Sequence, residues 1–266
     1  MGLSGLEIYK LLPKTNCKDC GFPTCLAFAM KLSQKQVELS ACPHVSEEAK
    51  AALAAASAPP IRLITVGSGD NKVEVGNETV MFRHEKTFYH PPGVFVRVKD
   101  SQPLAEVEET VAKVDGYSVE RVGLQLRFDG VAVQSVSGQA DTFAACVEAV
   151  KSKTQLPLIL MADDPAVMKA GLEKLDGANP LLYAATADNW EAMAALAKEY
   201  QVPLVAAAPN GDLNALANLT EQIKGAGVED IVLDPGARGF ADSLAALTQI
   251  RRLALKKNFR PLGYPV

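Results

Sequence analysis

Short apolar segments alternate with predicted helices from residue 94 almost to the end of this 266-residue chain. The apolar segments have the length and composition of buried strands. Strands and helices in regular alternation predict a parallel sheet covered by helices. The predicted strands are Val94–Val98, Val122–Phe128, Leu158–Met161, Leu181–Ala184, Leu204–Ala207 and Ile231–Leu233, and the predicted helices are 101–113, 139–152, 164–174, 188–200, 211–225 and 239–256.

Six such units favour an α/β fold of the TIM-barrel type, because a (β/α)₈ barrel places eight units in roughly 250 residues. A doubly wound open sheet is the alternative. The count falls short of eight, and the chain stops at 260–266, where a seventh strand is expected after a long helix. We therefore expect a TIM-barrel-like (β/α) domain that is incomplete at its C-terminal end, in a sequence that is a fragment of a longer protein.

The residues before these units are rich in strand-forming side chains. IRLITV, which begins at Ile61, is followed by KVEV and TVMFRHE, and Gly76-Asn77 between the last two predicts a hairpin. The preceding run AKAALAAASAPP has helix propensity but few large side chains that could anchor a core. We interpret this run as a linker between a small domain, 1–57, and the barrel domain, 58–266.

Four of the five cysteines lie close together in the spacing C-x2-C-x4-C-x16-C. Cys17, Cys20 and Cys25 are near enough in sequence to bind one centre, and Cys42 can complete it. Three clustered thiolates and a remote fourth are typical of iron-sulfur sites, whereas zinc sites more often pair two C-x2-C knuckles. The spacing favours a 4Fe-4S cluster, with a structural zinc ion as the alternative.

Short helices are predicted around these cysteines. Residues 3–12 form an amphipathic pattern that Pro13 stops, and a second helix is predicted from Thr24 to about Gln36. Ser46, followed by two glutamates, is typical of the N-cap of a third helix. The cluster is therefore expected in a small helical domain.

Longer segments of the chain resemble one known family. GLEIYKLLPKTNCKDCGFPTCLAFAMKL, FRHEKTFYHPPG, LILMADDP and VLDPGARG are similar to the large (gamma) subunit of the corrinoid/iron-sulfur protein of the reductive acetyl-CoA (Wood-Ljungdahl) pathway. The resemblance implies an N-terminal 4Fe-4S domain, a TIM barrel, and a C-terminal corrinoid-binding domain that these residues lack. It also implies that Cys17, Cys20, Cys25 and Cys42 ligate the 4Fe-4S cluster.

The same resemblance implies a function in methyl transfer rather than catalysis by this chain alone. A corrinoid of the cobalamin type would carry a methyl group from methyltetrahydrofolate to acetyl-CoA synthase, and the cluster would relay electrons that return cobalt to Co(I). The implied partners are the small subunit in a heterodimer, a methyltetrahydrofolate methyltransferase, acetyl-CoA synthase/CO dehydrogenase and a ferredoxin-like electron donor. No residue of this chain is predicted to be catalytic.

Aspartates follow several predicted strands, where barrel enzymes gather their active sites: Asp129, Asp163, Asp164 and Asp234. Such aspartates hold the pterin ring in pterin-binding barrels, so one alternative function is a pterin-dependent methyltransferase with an accessory cluster. The contexts Asp163-Asp164-Pro165 and Asp234-Pro235-Gly236 are also ordinary helix caps and turns. A second alternative is a plain electron-transfer or zinc-stapled module.

Two other features are interpreted as structural. Cys146 shares a predicted helix face with apolar residues, so a buried small side chain is expected rather than a reactive thiol. His84 and His90, with Arg83 and Glu85, could line a ligand site, but a hydrogen-bonded structural motif is the preferred interpretation because no third metal ligand is suitably spaced.

Composition excludes some partners. The net charge is only −4, and Lys and Arg are dispersed, so nucleic-acid binding is not expected. The apolar run Leu156–Ala162 is far shorter than the roughly 20 residues that cross a bilayer. The N-terminus also lacks a signal-sequence pattern. We therefore expect a cytoplasmic protein without a membrane partner.

Overall fold

A computed structural model of the chain describes residues 4–34, 36–50, 53 and 59–266. The chain divides into two compact units, Met1–Pro59 and Pro60–Val266. The domain boundary expected between residues 57 and 58 lies outside the described residues, as does most of the Ala-rich linker. Each unit has a buried core of its own.

Two short helices, α1 (Gly5–Leu11) and α2 (Cys25–Ser33), form much of the first unit. Ser4 caps α1 in a capping box, and the Thr24 side chain caps α2, so both helices start where the sequence predicts within a residue or two. Residues 47–50 are also helical, and the Ser46 hydroxyl accepts the Ala49 N–H at 3.2 Å. The third predicted N-cap is thereby confirmed.

The core of the first unit contains two of the clustered cysteines. Ile8 of α1 and Phe28 of α2 are 5% and 1% exposed, and Cys25 and Cys42 are buried with them. The cysteine segment is therefore packed into the fold of this unit.

Strands and helices alternate in the second unit. The strands are β1 (Ile64–Val66), β2 (Val73–Val75), β3 (Phe95–Lys99), β4 (Val119–Arg121), β5 (Leu124–Leu126), β6 (Gly130–Gln134), β7 (Leu158–Met161), β8 (Leu181–Ala185), β9 (Leu204–Ala207) and β10 (Ile231–Asp234). The helices are α3 (Leu104–Asp115), α4 (Ala140–Lys153), α5 (Pro165–Leu172), α6 (Trp190–Tyr200), α7 (Leu213–Gly225) and α8 (Phe240–Lys257).

Six of these strands form one parallel sheet in the order β10-β9-β8-β7-β6-β3. The chain adds each new strand on the same side of the sheet, whereas a doubly wound sheet reverses its order at a switch point. The arrangement is therefore that of a TIM-barrel-like α/β domain, and the sequence-based fold class is confirmed.

Side chains on the two faces of the sheet enter different clusters. Val133 and Leu160 pack in the large core with Phe143 of α4 and Met168 of α5, and all four are fully buried. On the other face, Leu181 and Val205 form a smaller cluster with Val66 of β1. The alternation follows from the two-residue period of a strand.

The predicted strand Val122–Phe128 is wrong. Residues 119–126 form an antiparallel hairpin of β4 and β5 whose residues are all exposed, and the strand of the parallel sheet is β6. Val122 and Gly123 both have positive φ, 50° and 74°, which reverses the chain between the two strands. The sequence has a strand-like pattern both in the hairpin and in β6, and the two differ in burial: the hairpin is exposed, whereas β6 is buried.

The hairpin predicted across Gly76-Asn77 is also wrong. β2 pairs with β1 instead, and residues 76–94 contain no strand. The backbone of the later segment is held by Arg251 of α8: its guanidinium donates to the carbonyl oxygens of Val80, at 2.8 Å, and Met81, at 3.0 Å. A side chain thus satisfies carbonyl groups that a strand would have paired.

The last residues lie beside the edge of β10. The Leu233 N–H donates to the Pro265 carbonyl at 2.8 Å, and Tyr264 is buried. The backbone therefore approaches the sheet where a seventh strand is expected, although the described residues form no strand after β10. None of the described helices combines the length and apolar character needed to cross a membrane.

Candidate functional site

The four clustered cysteines lie at different depths in the first unit, and none of them is in a disulfide. Cys17 is exposed, Cys20 is half-buried, and Cys25 and Cys42 are buried. Cys20 packs against the same core that contains the two buried cysteines. One side of the group thus faces the core and the other faces solvent.

The loop that carries Cys17 and Cys20 has an unusual backbone. Asn16, Lys18 and Gly21 have positive φ values of 50°, 70° and 80°. The Gly21 N–H donates to the Lys18 carbonyl at 2.8 Å, which closes a tight turn around Cys20. Left-handed residues next to ordinary ones turn successive N–H groups to one side of a loop, and such loops bind anions.

Asn16 connects this loop to the start of α2. Its backbone N–H donates to the Cys25 Sγ at 3.4 Å, and its side-chain oxygen accepts the Cys25 N–H at 2.8 Å. An N–H donor favours negative charge on the sulfur it contacts. The sequence did not single out this residue.

The N-terminus of α2 lies at Cys25, but part of its hydrogen-bonding capacity is already used. Two of its first amides are already occupied, since the Cys25 N–H donates to Asn16 and the Ala27 N–H donates to the Thr24 hydroxyl at 3.1 Å. The helix dipole still places partial positive charge beside the Cys25 sulfur.

Asp19 and His44 form a second connection within the site. The His44 Nε2 lies 2.6 Å from the Asp19 Oδ2, so the loop between Cys17 and Cys20 is tied to the residues after Cys42. Hydrogen bonds from His44 and from Cys17 lower the pKa of Asp19. The sequence signal for this pair was an acid between two cysteines and a histidine just after the fourth.

The structure places two further possible metal ligands beside one of the predicted cysteines. Among the described residues, the one group of three metal-binding side chains within 4.8 Å is Cys17, Asp19 and His44. No three of the cysteine sulfurs are that close. Asp19 and His44 were not among the ligands that the sequence predicted.

At the strand ends of the second unit, Asp234 is bonded on both oxygens. Oδ1 accepts the Gly236 N–H at 2.8 Å and Arg238 Nη1 at 2.9 Å, and Oδ2 accepts Arg238 Nη2 at 2.8 Å and the Tyr183 hydroxyl at 2.6 Å. Each carboxylate oxygen already accepts two hydrogen bonds. Tyr183 lies on β8, so only the fold brings it to Asp234.

The protonation of this cluster is fixed around neutral pH. Burial acts to raise the pKa of Asp234, but hydrogen bonds from Arg238, Tyr183 and the Gly236 N–H outweigh it and lower the pKa. Burial and the Asp234 carboxylate raise the pKa of Tyr183 to about 12. A general acid or base needs a pKa near the working pH. The cluster is therefore a structural ion pair, not an acid–base catalyst.

Asp100, directly after β3, is a second aspartate whose carboxylate accepts several hydrogen bonds, as Asp234 does. The sequence analysis did not single it out. It is only 4% exposed and accepts four hydrogen bonds, from the Val136 and Ser137 N–H groups and from the Ser135 and Ser137 hydroxyls. Burial acts to raise the pKa of Asp100, but these bonds lower it overall. The two serines after β6 were the available sequence signal.

The other predicted aspartates have local roles. Asp164 caps α5 by accepting the Ala166 N–H at 2.8 Å, and Asp129 accepts the Val94 N–H at 2.7 Å. The Asp163 backbone carbonyl accepts the Asn189 amide at 2.9 Å. These contacts agree with caps and turns.

His84 and His90 make local contacts, and Cys146 is buried. The His84 ring stacks on Phe82 with centroids 5.5 Å apart, and the His90 Nδ1 lies 3.9 Å from Glu74. Within the described ranges, neither histidine joins a group of metal ligands. Cys146 is fully buried, and burial together with the Asp100 charge raises its pKa to about 11. Its structural interpretation is confirmed.

Comparison with protein families gives two matches. Residues 63–266 match the family described as "CO dehydrogenase/acetyl-CoA synthase delta subunit", and residues 12–44 match the one described as "Putative Fe-S cluster". The chain belongs to the CO dehydrogenase/acetyl-CoA synthase delta-subunit family. The second match spans all four clustered cysteines.

Two named proteins are similar to this family member over nearly its whole length. The "Corrinoid/iron-sulfur protein large subunit" of Moorella thermoacetica is 48% identical over 266 residues, which are 100% of this chain and 59% of the relative. The "Acetyl-CoA decarbonylase/synthase complex subunit gamma 2" of Methanosarcina mazei is 41% identical over 99% of this chain and 57% of the relative. The chain thus spans somewhat more than half the length of these relatives.

Among solved structures, this family member is similar to dihydropteroate synthase (FolP) from Thermus thermophilus. The TM-score is 0.45 at 21% identity, and the match covers 72% of each chain.

Proposed function

We propose that this chain is the large-subunit portion of a corrinoid/iron-sulfur protein, in which Cys17, Cys20, Cys25 and Cys42 bind a 4Fe-4S cluster. The observation that carries the proposal is the placement of four cysteines in one small unit, within the segment that matches the family described as "Putative Fe-S cluster". The C-x2-C-x4-C-x16-C spacing in the sequence and the N–H donor on the Cys25 sulfur support an anionic iron-sulfur centre.

The residues of the first unit would hold and shield this cluster. When bound, a 4Fe-4S cluster supplies one-electron transfer at low potential. Phe22 packs on Phe28 with ring centroids 5.6 Å apart, beside the core that contains Cys25 and Cys42. This apolar side limits water on two of the proposed ligands, while the exposed Cys17 side leaves a path for electrons.

We further propose that the electrons serve a corrinoid methyl carrier. In this proposal the methyl group passes from methyltetrahydrofolate, through a separate methyltransferase, to acetyl-CoA synthase/CO dehydrogenase, and the partners include a small subunit and a ferredoxin-like donor. The names of the relatives support this assignment. No described residue is assigned to the corrinoid, and the chain itself acts as carrier component and relay.

The test is anaerobic purification followed by metal analysis and EPR of the reduced protein. We expect iron and sulfide near about four per chain, as a 4Fe-4S cluster requires. Serine at any one of positions 17, 20, 25 or 42 should lower the iron content, whereas Cys146→Ser, at the buried cysteine of the second unit, should leave it unchanged. Colourless protein with one zinc ion would refute the proposal.

The pterin-dependent methyltransferase is the less favoured function, because Asp234, the acid proposed to hold the pterin, is already bonded to Arg238 and Tyr183. Titration of the purified chain with methyltetrahydrofolate distinguishes the two. Binding that is lost in Asp234→Asn would favour the methyltransferase, and absence of binding favours the carrier.

A further inference from the structure

The hairpin of β4 and β5 has two chemically different faces. Cross-strand partners in an antiparallel pair share a face, and here Val119 pairs with Leu126 while Glu120 pairs with Gln125. One face is thus apolar and the other polar. The apolar face carries Tyr117, Val119, Leu124 and Leu126 around a single charged side chain, Arg121.

The apolar face is not covered by the described chain. Leu124 is 66% exposed, and Val119 and Leu126 are 43% and 45% exposed. A contiguous exposed apolar surface of this kind marks an interaction site more often than scattered apolar residues do. An isolated two-stranded hairpin is also marginally stable in water, so an exposed one gains from a partner.

Val122 at the turn provides a second, independent observation. Its φ is 50°, a left-handed conformation that is costly for a β-branched residue, and its side chain is 94% exposed. Val122 makes little contact with the described residues, so packing against them does not offset the strain. A strained residue that presents its side chain to solvent indicates function at that position.

The hairpin is anchored firmly at its base. Tyr117 contacts Phe128 with ring centroids 4.9 Å apart, and Phe128 packs against the large core. The Asp129 N–H donates to the Val94 carbonyl at 2.9 Å, which joins the base to β3. The face is therefore held in place before any partner arrives, which lowers the entropic cost of binding.

We propose that this apolar face is the surface through which the chain binds a different protein chain, one that offers an apolar recess edged by a carboxylate. Arg121 is exposed and has no ion-pair partner among the described residues, so it calls for an acidic group opposite. Symmetric docking of a second copy, face to face, would bring two Arg121 guanidinium groups into one small interface, where like charges are unfavourable. Charge complementarity thus selects a heterologous partner.

The experiment rests on the proposed function only for its choice of partner, the small subunit of the corrinoid/iron-sulfur protein. The photo-crosslinking residue p-benzoylphenylalanine is placed at Val122 or, as a control on the polar face, at Gln125, and each variant is irradiated with the purified small subunit. We expect cross-links to that subunit from position 122 and few from position 125. Cross-links between two copies of this chain would overturn the proposal.

Affinity measurements complete the test. Leu124→Asp should weaken binding by about tenfold or more, as loss of a central apolar contact does, whereas Gln125→Asp should change it by less than about twofold. Arg121→Glu should slow association, most strongly at low salt. Wild-type affinity in Leu124→Asp, or no complex at all, would overturn the inference. Iron content is measured on the same proteins. A failure of the cluster proposal can therefore be distinguished from a failure of the proposed docking surface.

Discussion

The Asn16 backbone N–H and the Cys25 sulfur lie 3.4 Å apart, and the Asn16 side chain accepts the Cys25 N–H at 2.8 Å in return. One residue thus holds both the sulfur and the backbone of a proposed ligand. It does so with a φ of 50°, a conformation that asparagine tolerates better than most residues.

Substitution of Asn16 separates the effect of its side-chain acceptor from the effect of its backbone conformation. Asn16→Gly removes the side-chain acceptor but keeps access to positive φ, and Asn16→Ala removes both. We expect the alanine variant to be less stable than the glycine variant by about 1 kcal/mol, the cost of left-handed backbone for a residue with a Cβ. Denaturant unfolding of both variants measures the difference, and equal stabilities would contradict a conformational role for this position.

Two glycines with similar backbone conformation provide a matched pair. Gly138 and Gly236 have φ values of 66° and 68°, but a Cβ at Gly138 would meet open space, whereas one at Gly236 would clash with the Ala208 carbonyl oxygen. Gly138→Ala should cost about 1 kcal/mol from strain alone. Gly236→Ala should cost clearly more because the backbone must move. Thermal unfolding tests the order, and similar melting temperatures would refute it.

The Asp234 cluster should make stability depend on acid pH. Its pKa is lowered in the folded chain, so its stabilisation is present above the unfolded value of about 4 and is lost as pH falls through the lower folded pKa. Asp234→Asn should cost about 1 to 3 kcal/mol at pH 7. That cost should shrink on acidification. Asp188→Asn, at an exposed residue, is the control, and a pH-independent cost of Asp234→Asn would contradict the assignment.

Cys146 should be inert in the folded protein. With its pKa raised to about 11, only about 1 in 1,000 of its thiols would be ionised at pH 8. In protein from which the metal has been removed, iodoacetamide should modify the exposed Cys17 and leave Cys146 intact until denaturant is added. Mass spectrometry of the alkylated peptides reports this, and early labelling of Cys146 would disprove its burial.

The sequence predicted the later part of the barrel well because its strands and helices are both buried and regularly spaced. β7 to β10 lie within a residue of their predicted positions. The prediction for residues 119–134 was wrong for a physical reason. The segment VERVGLQL has the composition of a strand, yet it forms an exposed hairpin, and the buried strand begins at Gly130. Composition predicts strand formation, but it does not say which strand enters a sheet.

At the candidate site, spacing alone singled out the four cysteines, because ligands of one centre must be close in sequence or brought close by short loops. The supporting residues were not predicted. Asn16 acts through its backbone conformation, and the Asp19–His44 contact joins residues 25 positions apart. Likewise, the link between Tyr183 and Asp234 depends on the register of neighbouring strands rather than on any local motif.

Arg251 holds residues 78–88 in place through several contacts at once. Its guanidinium binds the carbonyls of Val80 and Met81 and lies 4.5 Å from the ring centroid of Phe88, so residues 78–88 owe much of their order to one side chain. Such a segment can open locally while the barrel stays folded. Loss of that one cation should therefore expose residues 78–88 to limited proteolysis long before the rest of the unit is cut.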